Sequence, residues 1–194
     1  MNSKRVTGYI VGAVILLLVI FLITSYNALV KKEEKVKLQW NEVQSAYQRR
    51  TDLVPSLVNV VKGQANFEQT TLQQIAEARS KAGQITATEL TPENVNRQTA
   101  AQNELAAATN QLIAVVEKYP ELKGAQAFRG LQTQLEGTER RIKFSRKDFN
   151  DAIAAYNSSV RSFPTNLAAG MLGFKAKEGF QSDAGADKAI EIKF

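Results

Sequence analysis

The chain has 194 residues, of which 44% are hydrophobic and 23% charged, and its formal net charge is +6. It contains no histidine and no cysteine, which excludes thiol chemistry and disulfides and removes the usual zinc ligands and the commonest general base. Basic residues are interspersed with acidic ones and form no block with interleaved aromatics, so nucleic acid is not expected as a partner. No spacing of serine, lysine or carboxylates matches a nucleophile and its base. We therefore predict a non-enzymatic protein without cofactor or metal.

A short polar segment, residues 1–5, precedes an uncharged apolar run from Val6 to Ile23. A bilayer core needs about 20 apolar residues, and this run suffices. A cleaved signal peptide is the competing interpretation, but its apolar region is shorter and ends at a small-residue cleavage site that we do not find here. We predict a transmembrane helix over residues 6–25 that is retained as an anchor.

The orientation of this helix stays open on charge alone. Lys4 and Arg5 precede the apolar run, whereas four lysines lie between residues 31 and 37. The count of basic residues favours a cytoplasmic body. The basic start resembles an uncleaved signal anchor, which favours the opposite orientation.

Residues 26–163 are predicted to form a long antiparallel helical bundle, because apolar residues recur at alternating steps of three and four, as in coiled coils. Arg50 falls on the first of these seams, so a carboxylate or carbonyl from a neighbouring helix should meet its guanidinium. Pro55 either kinks this helix or follows the start of a new one capped by Thr51 or Asp52. The seam consists of Val36, Trp40, Val43, Tyr47, Arg50, Val54, Leu57 and Val61.

Three further helical stripes follow. The first stripe places Glu68 and Arg79 on the inward face of a helix that ends near Gly83. The second stripe lies on a helix that begins with Thr91 as N-cap and Pro92 at the first helical position. The second stripe comprises Val95, Gln98, Gln102, Leu105, Thr109, Leu112, Val116 and Tyr119. The third comprises Phe128, Leu131, Leu135, Thr138, Ile142, Ser145, Phe149, Ala152, Tyr156, Ser159 and Phe163.

The tail, residues 164–194, is predicted to be irregular because glycines separate its apolar residues, with strand-like alternation only at its end. It has no core of its own, so it should pack on the bundle or on another copy. Its apolar side chains form the candidate self-association or partner surface: Leu167, Met171, Leu172, Phe174 and Phe180.

The paired arginines have two interpretations. They could bind an anionic lipid or a small acid, but a structural charge network is preferred because buried charges are seldom left unpaired. The TERR segment, residues 138–141, is expected to pair within its own helix. The Tyr-Asn pairs at 26–27 and 156–157 are interpreted as core rings whose amide neighbours bond across helices. The network comprises Arg49, Arg50, Asp52, Glu68, Arg79, Glu136 and Glu139.

Four segments together resemble the LemA family of bacterial membrane proteins. They are YNALV (26–30), RRTDLVPSLVNVVKG (49–63), YPELKGAQAF (119–128) and residues 135–174, from LEGTERRIKF to NLAAGMLGF. Phe149 replaces a more usual tyrosine, and LKGAQ departs from the commoner LKANQ. The resemblance implies an N-terminal membrane helix followed by a helical bundle, and it implies no enzymatic activity.

Some members of that family resemble lipoproteins with a cysteine before the Tyr-Asn motif, where this chain has Ser25. This comparison favours a body outside the cytoplasmic membrane. Our expectation is a single-pass protein of the bacterial cytoplasmic membrane that acts as a scaffold or adaptor, in contact with membrane lipid, through homo-oligomerisation or another membrane protein. The alternative is a binding module for an anionic lipid or small acidic ligand at Arg49 and Arg50.

Overall fold

A computed structural model describes residues 3–62, 69–85, 90–121 and 125–180, with side chains from residue 7 onward. Regular secondary structure in these ranges is helical, which confirms the all-α prediction. The helices are α1 (Ser3–Lys62), α2 (Gln69–Gln84), α3 (Pro92–Val116), α4 (Gln126–Arg161) and α5 (Thr165–Met171). The seven residues of α5 were expected to be irregular.

Helix α1 continues through Pro55 instead of ending before it. Proline has no N–H, so the carbonyl of Thr51, four residues earlier, loses its helical donor. Arg79 Nε from α2 donates to that oxygen at 3.3 Å. The Thr51 hydroxyl bonds back to the Tyr47 carbonyl at 3.1 Å, so it does not cap a new helix. The hypothesis of two helices separated before Pro55 is therefore wrong.

We expect Arg79→Met to lower the free energy of unfolding by about 1 kcal/mol, because it removes the donor from a part-buried carbonyl. The same substitution in a Pro55→Ala background should cost much less, since the alanine supplies the missing N–H. Thermal and denaturant unfolding of the two single variants and the double variant measures this coupling. Equal losses in both backgrounds would contradict the compensating role of Arg79.

The residues divide into two compact units. The first comprises Met1–Trp40 and Asp148–Glu178, and the second comprises Asn41–Lys147 and Gly179–Phe194. In the first unit, α1 and α4 run antiparallel, because Lys32 contacts Ser159 whereas Trp40, further along α1, contacts Phe149, earlier on α4. Leu29, Val36, Trp40, Phe149, Ile153 and Tyr156 are buried in this unit.

The second unit has one hydrophobic core contributed by four helices. Thr91 caps α3 as predicted: its side chain accepts from the Asn94 N–H at 3.2 Å, and Pro92 occupies the first turn. Helix α2 packs against α3. The core cluster comprises Val54, Leu57, Val61, Ile75, Ala78, Ala82, Leu105, Leu112, Val115, Val116, Phe128 and Leu135.

The predicted stripes agree with the observed burial at most positions, but Leu131 and Ser159 on α4 are only half-buried and three further departures occur. All eight seam positions of α1, including Arg50, are buried. On α2 the buried line runs through Thr71, Ile75, Ala78 and Ala82, so Arg79 is exposed and only its Nε reaches inward. Tyr119 is half-buried and lies beyond α3, which ends at Val116. Phe163 is 81% exposed because α4 ends at Arg161.

Candidate membrane anchor and tail surface

By length and composition, the N-terminal part of α1 could cross a membrane. Its most apolar stretch of 18 residues is not buried by protein. Residues 7–20 are all exposed. An exposed run of this length in which Val, Ile and Leu predominate is typical of a helix that lies in an apolar surrounding. These observations fit the predicted membrane anchor.

Beyond the anchor, Asn157 fixes the extended segment that follows α5. Its Nδ2 donates to the Lys177 carbonyl, its Oδ1 accepts from the Lys177 N–H, and both distances are 2.8 Å. The Lys177 ammonium pairs with Glu33 at 2.9 Å and lies 5.5 Å from the centre of the Tyr156 ring. Two helices therefore hold Lys177, one by its side chain and one by its backbone.

The two Tyr-Asn pairs differ in their environment. Tyr156 is buried, and burial followed by the Glu33 charge raises the pKa of its phenol, which stays neutral at physiological pH. Its neighbour Asn157 bonds to the extended segment, not to another helix as expected. Tyr26 is not a core ring: it is 47% exposed and contacts Phe174 edge-on, with ring centroids 5.8 Å apart.

Two residues of the predicted partner surface have contacts within the chain, and the other three are exposed to solvent. Phe174 packs on Tyr26, and Phe180 lies 4.4 Å from the guanidinium carbon of Arg146. In contrast, Leu167, Met171 and Leu172 are exposed. The exposed part of this surface therefore consists of α5 and its immediate neighbours.

Among the residues predicted to form a charge network, Arg50 and Glu139 come together. The Arg50 Nη2 and Glu139 Oε2 atoms are 2.5 Å apart, with the two side chains 4% and 49% exposed. Arg50 Nη1 also donates to the Gln102 carbonyl at 2.9 Å and lies 3.3 Å from Gln102 Oε1. The guanidinium thus has both a carboxylate and a carbonyl as partners, which offset the cost of its desolvation.

The other predicted members do not join this pair. Asp52 accepts from Gln48 on its own helix, and Glu136 is in contact with Gln132 on its own helix. Arg49 is exposed. Glu68 lies outside the described residues.

The charges of the TERR segment pair between helices. Glu139 binds Arg50, and Arg141 lies 3.6 Å from Glu42, which is also on α1. The prediction of pairing within α4 is therefore wrong for both. A partner on another helix is in reach because α4 packs with this face toward α1.

Two concave regions are candidate ligand sites by shape. In the first unit a groove of about 740 Å³ mixes three lysines with Asp148 and Asp151, so its charge does not select an anion. In the second unit a cavity of about 310 Å³ is lined by uncharged residues. Among the residues described, no group of three acidic side chains is placed to hold a metal. Neither region has the charge of a small-acid site.

The spacing of the apolar residues does not reveal one further feature of the anchor. Gly8 and Gly12 are four residues apart, and a Cβ added at either would meet nothing within 4 Å. Two small residues at this spacing let a second transmembrane helix approach closely. The spacing itself, inside an apolar run, is the signal that could have identified it.

An apolar anchor continuous with a helical bundle defines the class of membrane-associated helical proteins. Residues 39–194 match the LemA family profile, and the chain belongs to the LemA family. It is 26% identical over 188 residues to magnetosome protein MamQ 2 of Paramagnetospirillum magneticum and to MamQ of Magnetospirillum gryphiswaldense, covering 87% of this chain and 69% of each relative. It is 25% identical over 143 residues to Protein LemA of Metamycoplasma hominis, covering 74% and 63%.

Family membership and the apolar helix together fit a membrane-associated bacterial protein. The names of these relatives are not those of enzymes.

Proposed function

We propose that this chain is a non-enzymatic, single-pass scaffold or adaptor that self-associates in the bacterial cytoplasmic membrane. The observation that carries the proposal is the continuity of α1, which runs from the anchor into the body as one helix of 60 residues. At 1.5 Å per residue this helix is about 90 Å long. Because no loop separates the anchor from residues 26–40 of α1, association of the anchors directly constrains the first unit of each copy.

The anchor offers a face for self-association. Gly8 and Gly12 lie on the same side of α1, since residues four apart in a helix share a face. Nothing in the described chain covers that side. In a bilayer, close backbone approach at small residues provides the van der Waals contact that drives helix pairing.

We expect the full-length protein in mild detergent to form a defined multimer, and Gly12→Ile to raise its dissociation constant about tenfold or more by keeping the backbones apart. Light scattering with the detergent contribution subtracted gives the mass. Val14→Phe, which adds bulk on the opposite side of the helix, is the matched control and should leave the multimer intact.

A monomeric wild-type protein that retains no membrane partner reproducibly would overturn the scaffold proposal. A multimer that both variants preserve would instead place self-association outside the Gly8 and Gly12 face. A monomer that retains one defined membrane protein would support the adaptor form of the proposal.

The alternative function, binding of an anionic lipid or small acid at Arg49 and Arg50, has less support. The Arg50 guanidinium is already engaged by Glu139 and Gln102, and a ligand would have to displace both. Arg49 is exposed and lines neither of the two concave regions described above. We therefore assign Arg50 a structural role.

For the orientation we propose an extracytoplasmic body, as the family resemblance favours. The chain has no cysteine, so a single cysteine at an exposed position such as Asp148 gives an unambiguous label site. A membrane-impermeant maleimide should label Asp148→Cys in intact spheroplasts. Labelling only after lysis would place the body in the cytoplasm.

A further inference from the structure

Helix α5 has the reverse of the usual polarity of a surface helix. Its small residues Ala168 and Ala169 are buried, whereas Leu167 and Met171 are 59% and 77% exposed. Leu167 and Met171 are four residues apart and so share one face. An ordinary surface helix turns its large apolar residues toward the core. The exposed face of α5 is therefore suited to an apolar surrounding and not to water.

The extended segment after α5 fixes where along α1 this helix lies. Phe174 contacts Tyr26, and Lys177 pairs with Glu33. Tyr26 and Glu33 lie seven residues, or about 10 Å, apart along α1, so the segment from Phe174 to Lys177 runs alongside α1, away from the anchor. Because α5 precedes this segment, it lies at the anchor end of the first unit.

The end of α4 gives the same placement independently. Lys32 donates to Ser159, and α4 runs antiparallel to α1, so residues after Ser159 approach the anchor. Phe163 follows Ser159 by four residues and is 81% exposed. This exposed ring thus lies at the same end of the unit as α5.

We propose that α5, with Phe163 before it and Leu172 after it, inserts its exposed apolar face into the interfacial layer of the bilayer that holds the anchor. The inference rests on the membrane anchoring in the proposed function and goes beyond it by naming lipid as the occupant of the tail surface. The exposed apolar residues 7–20 of α1 would lie in the same membrane. A bilayer around the anchor therefore meets α5 at the anchor's end.

Charge near this face is consistent with headgroup contact. Arg161 at the end of α4 and Lys175 after α5 are both exposed and flank the apolar residues in sequence. Basic side chains at this depth are attracted to anionic lipids, while the apolar face lies at the boundary with the acyl chains. A protein partner would require neither the location at the anchor's end nor the flanking positive charges.

The absence of cysteine makes site-directed spin labelling direct. Full-length Met171→Cys and Leu167→Cys proteins, each carrying a nitroxide, would be reconstituted in vesicles of phosphatidylcholine and phosphatidylglycerol. Collision with oxygen, which enriches in lipid, is compared with collision with a water-soluble nickel chelate. Ile15→Cys in the anchor is the lipid control, and Asp148→Cys, exposed on α4, is the water control.

We expect the ratio of oxygen to nickel accessibility at Met171 and Leu167 to exceed that at Asp148 several-fold and to fall below that at Ile15. Water-like ratios at both α5 sites with a lipid-like Ile15 would overturn this inference and leave the anchoring intact. Low accessibility of Met171 to both oxygen and the nickel chelate would also overturn it, because a protein surface and not lipid would then cover α5. A water-like ratio at Ile15 would overturn the anchoring itself and this inference with it.

Discussion

Replacing Phe149 with alanine is expected to lower the free energy of unfolding by about 3–5 kcal/mol, the largest effect of any substitution considered. The Phe149 ring is fully buried, and its centroid lies 5.3 Å from that of Trp40. Its removal loses both the transfer free energy of the ring and an aromatic contact across α1 and α4. Thermal unfolding followed by circular dichroism in detergent measures the loss.

Phe144→Ala is the matched control. It is the same change on the same helix five residues earlier, at a ring that is 61% exposed. It should alter stability by no more than about 0.5 kcal/mol. Trp40 is the only tryptophan in the chain, so its emission reports on the environment of Phe149 and should shift to the red in the Phe149 variant alone. Similar stability of the two variants would show that the contact between Trp40 and Phe149 does not stabilise the fold.

Replacing Glu139 with alanine is expected to destabilise the fold by about 2 kcal/mol. Removing one partner of a fully buried ion pair costs about 3–5 kcal/mol, but Glu139 is half-exposed and Gln102 still accepts from Arg50, which reduces the loss. The cost arises from the Arg50 guanidinium, which stays desolvated without a counter-charge. Denaturant unfolding measures it.

Glu136→Ala, one turn away and in contact with Gln132 on its own helix, should change stability by less than about 0.5 kcal/mol. In the Glu139→Ala background, Arg50→Met should recover part of the loss, because a methionine in the core needs no counter-charge. If Arg50→Met added its own full loss, the desolvated charge would not explain the effect of Glu139→Ala.

Periodicity predicted the helices and most of the core, because seven-residue patterns of apolar residues persist over long stretches and each helix presents one face to its neighbours. The position of Arg50 inside the core followed from the same spacing. The identity of its partner could not be predicted in this way. Glu136 and Glu139 lie one turn apart on α4, and only the packing of α4 against α1 determines which of them reaches Arg50. The passage of α1 through Pro55 depends likewise on a donor from Arg79, 28 residues away from Thr51 in sequence.

The end of α4 and the short helix after it could not be predicted from spacing. Phe163 continues the stripe of three and four by position, but α4 has ended at Arg161 before it. Helix α5 is only seven residues long, so its sequence shows too few turns for a periodic signal. The sequence does not distinguish Phe174 and Phe180, which have intramolecular contacts, from the exposed tail residues. All of them are large apolar side chains in the same tail.

The contacts of the first unit join the two ends of the sequence, which affects how the chain is made. Lys32 and Ser159 are 127 residues apart, and Glu33 pairs with Lys177, which is further still along the chain. At about 5–20 residues per second, a ribosome needs roughly 6–25 seconds to add Ser159 after it has added Lys32. Throughout that interval the apolar face of α1 around Leu29 and Val36 has no partner from its own chain. Helix α1, the proposed anchor, is therefore synthesised first and gains its packing partner last, and a nascent chain released before residue 160 would leave the apolar face of α1 uncovered.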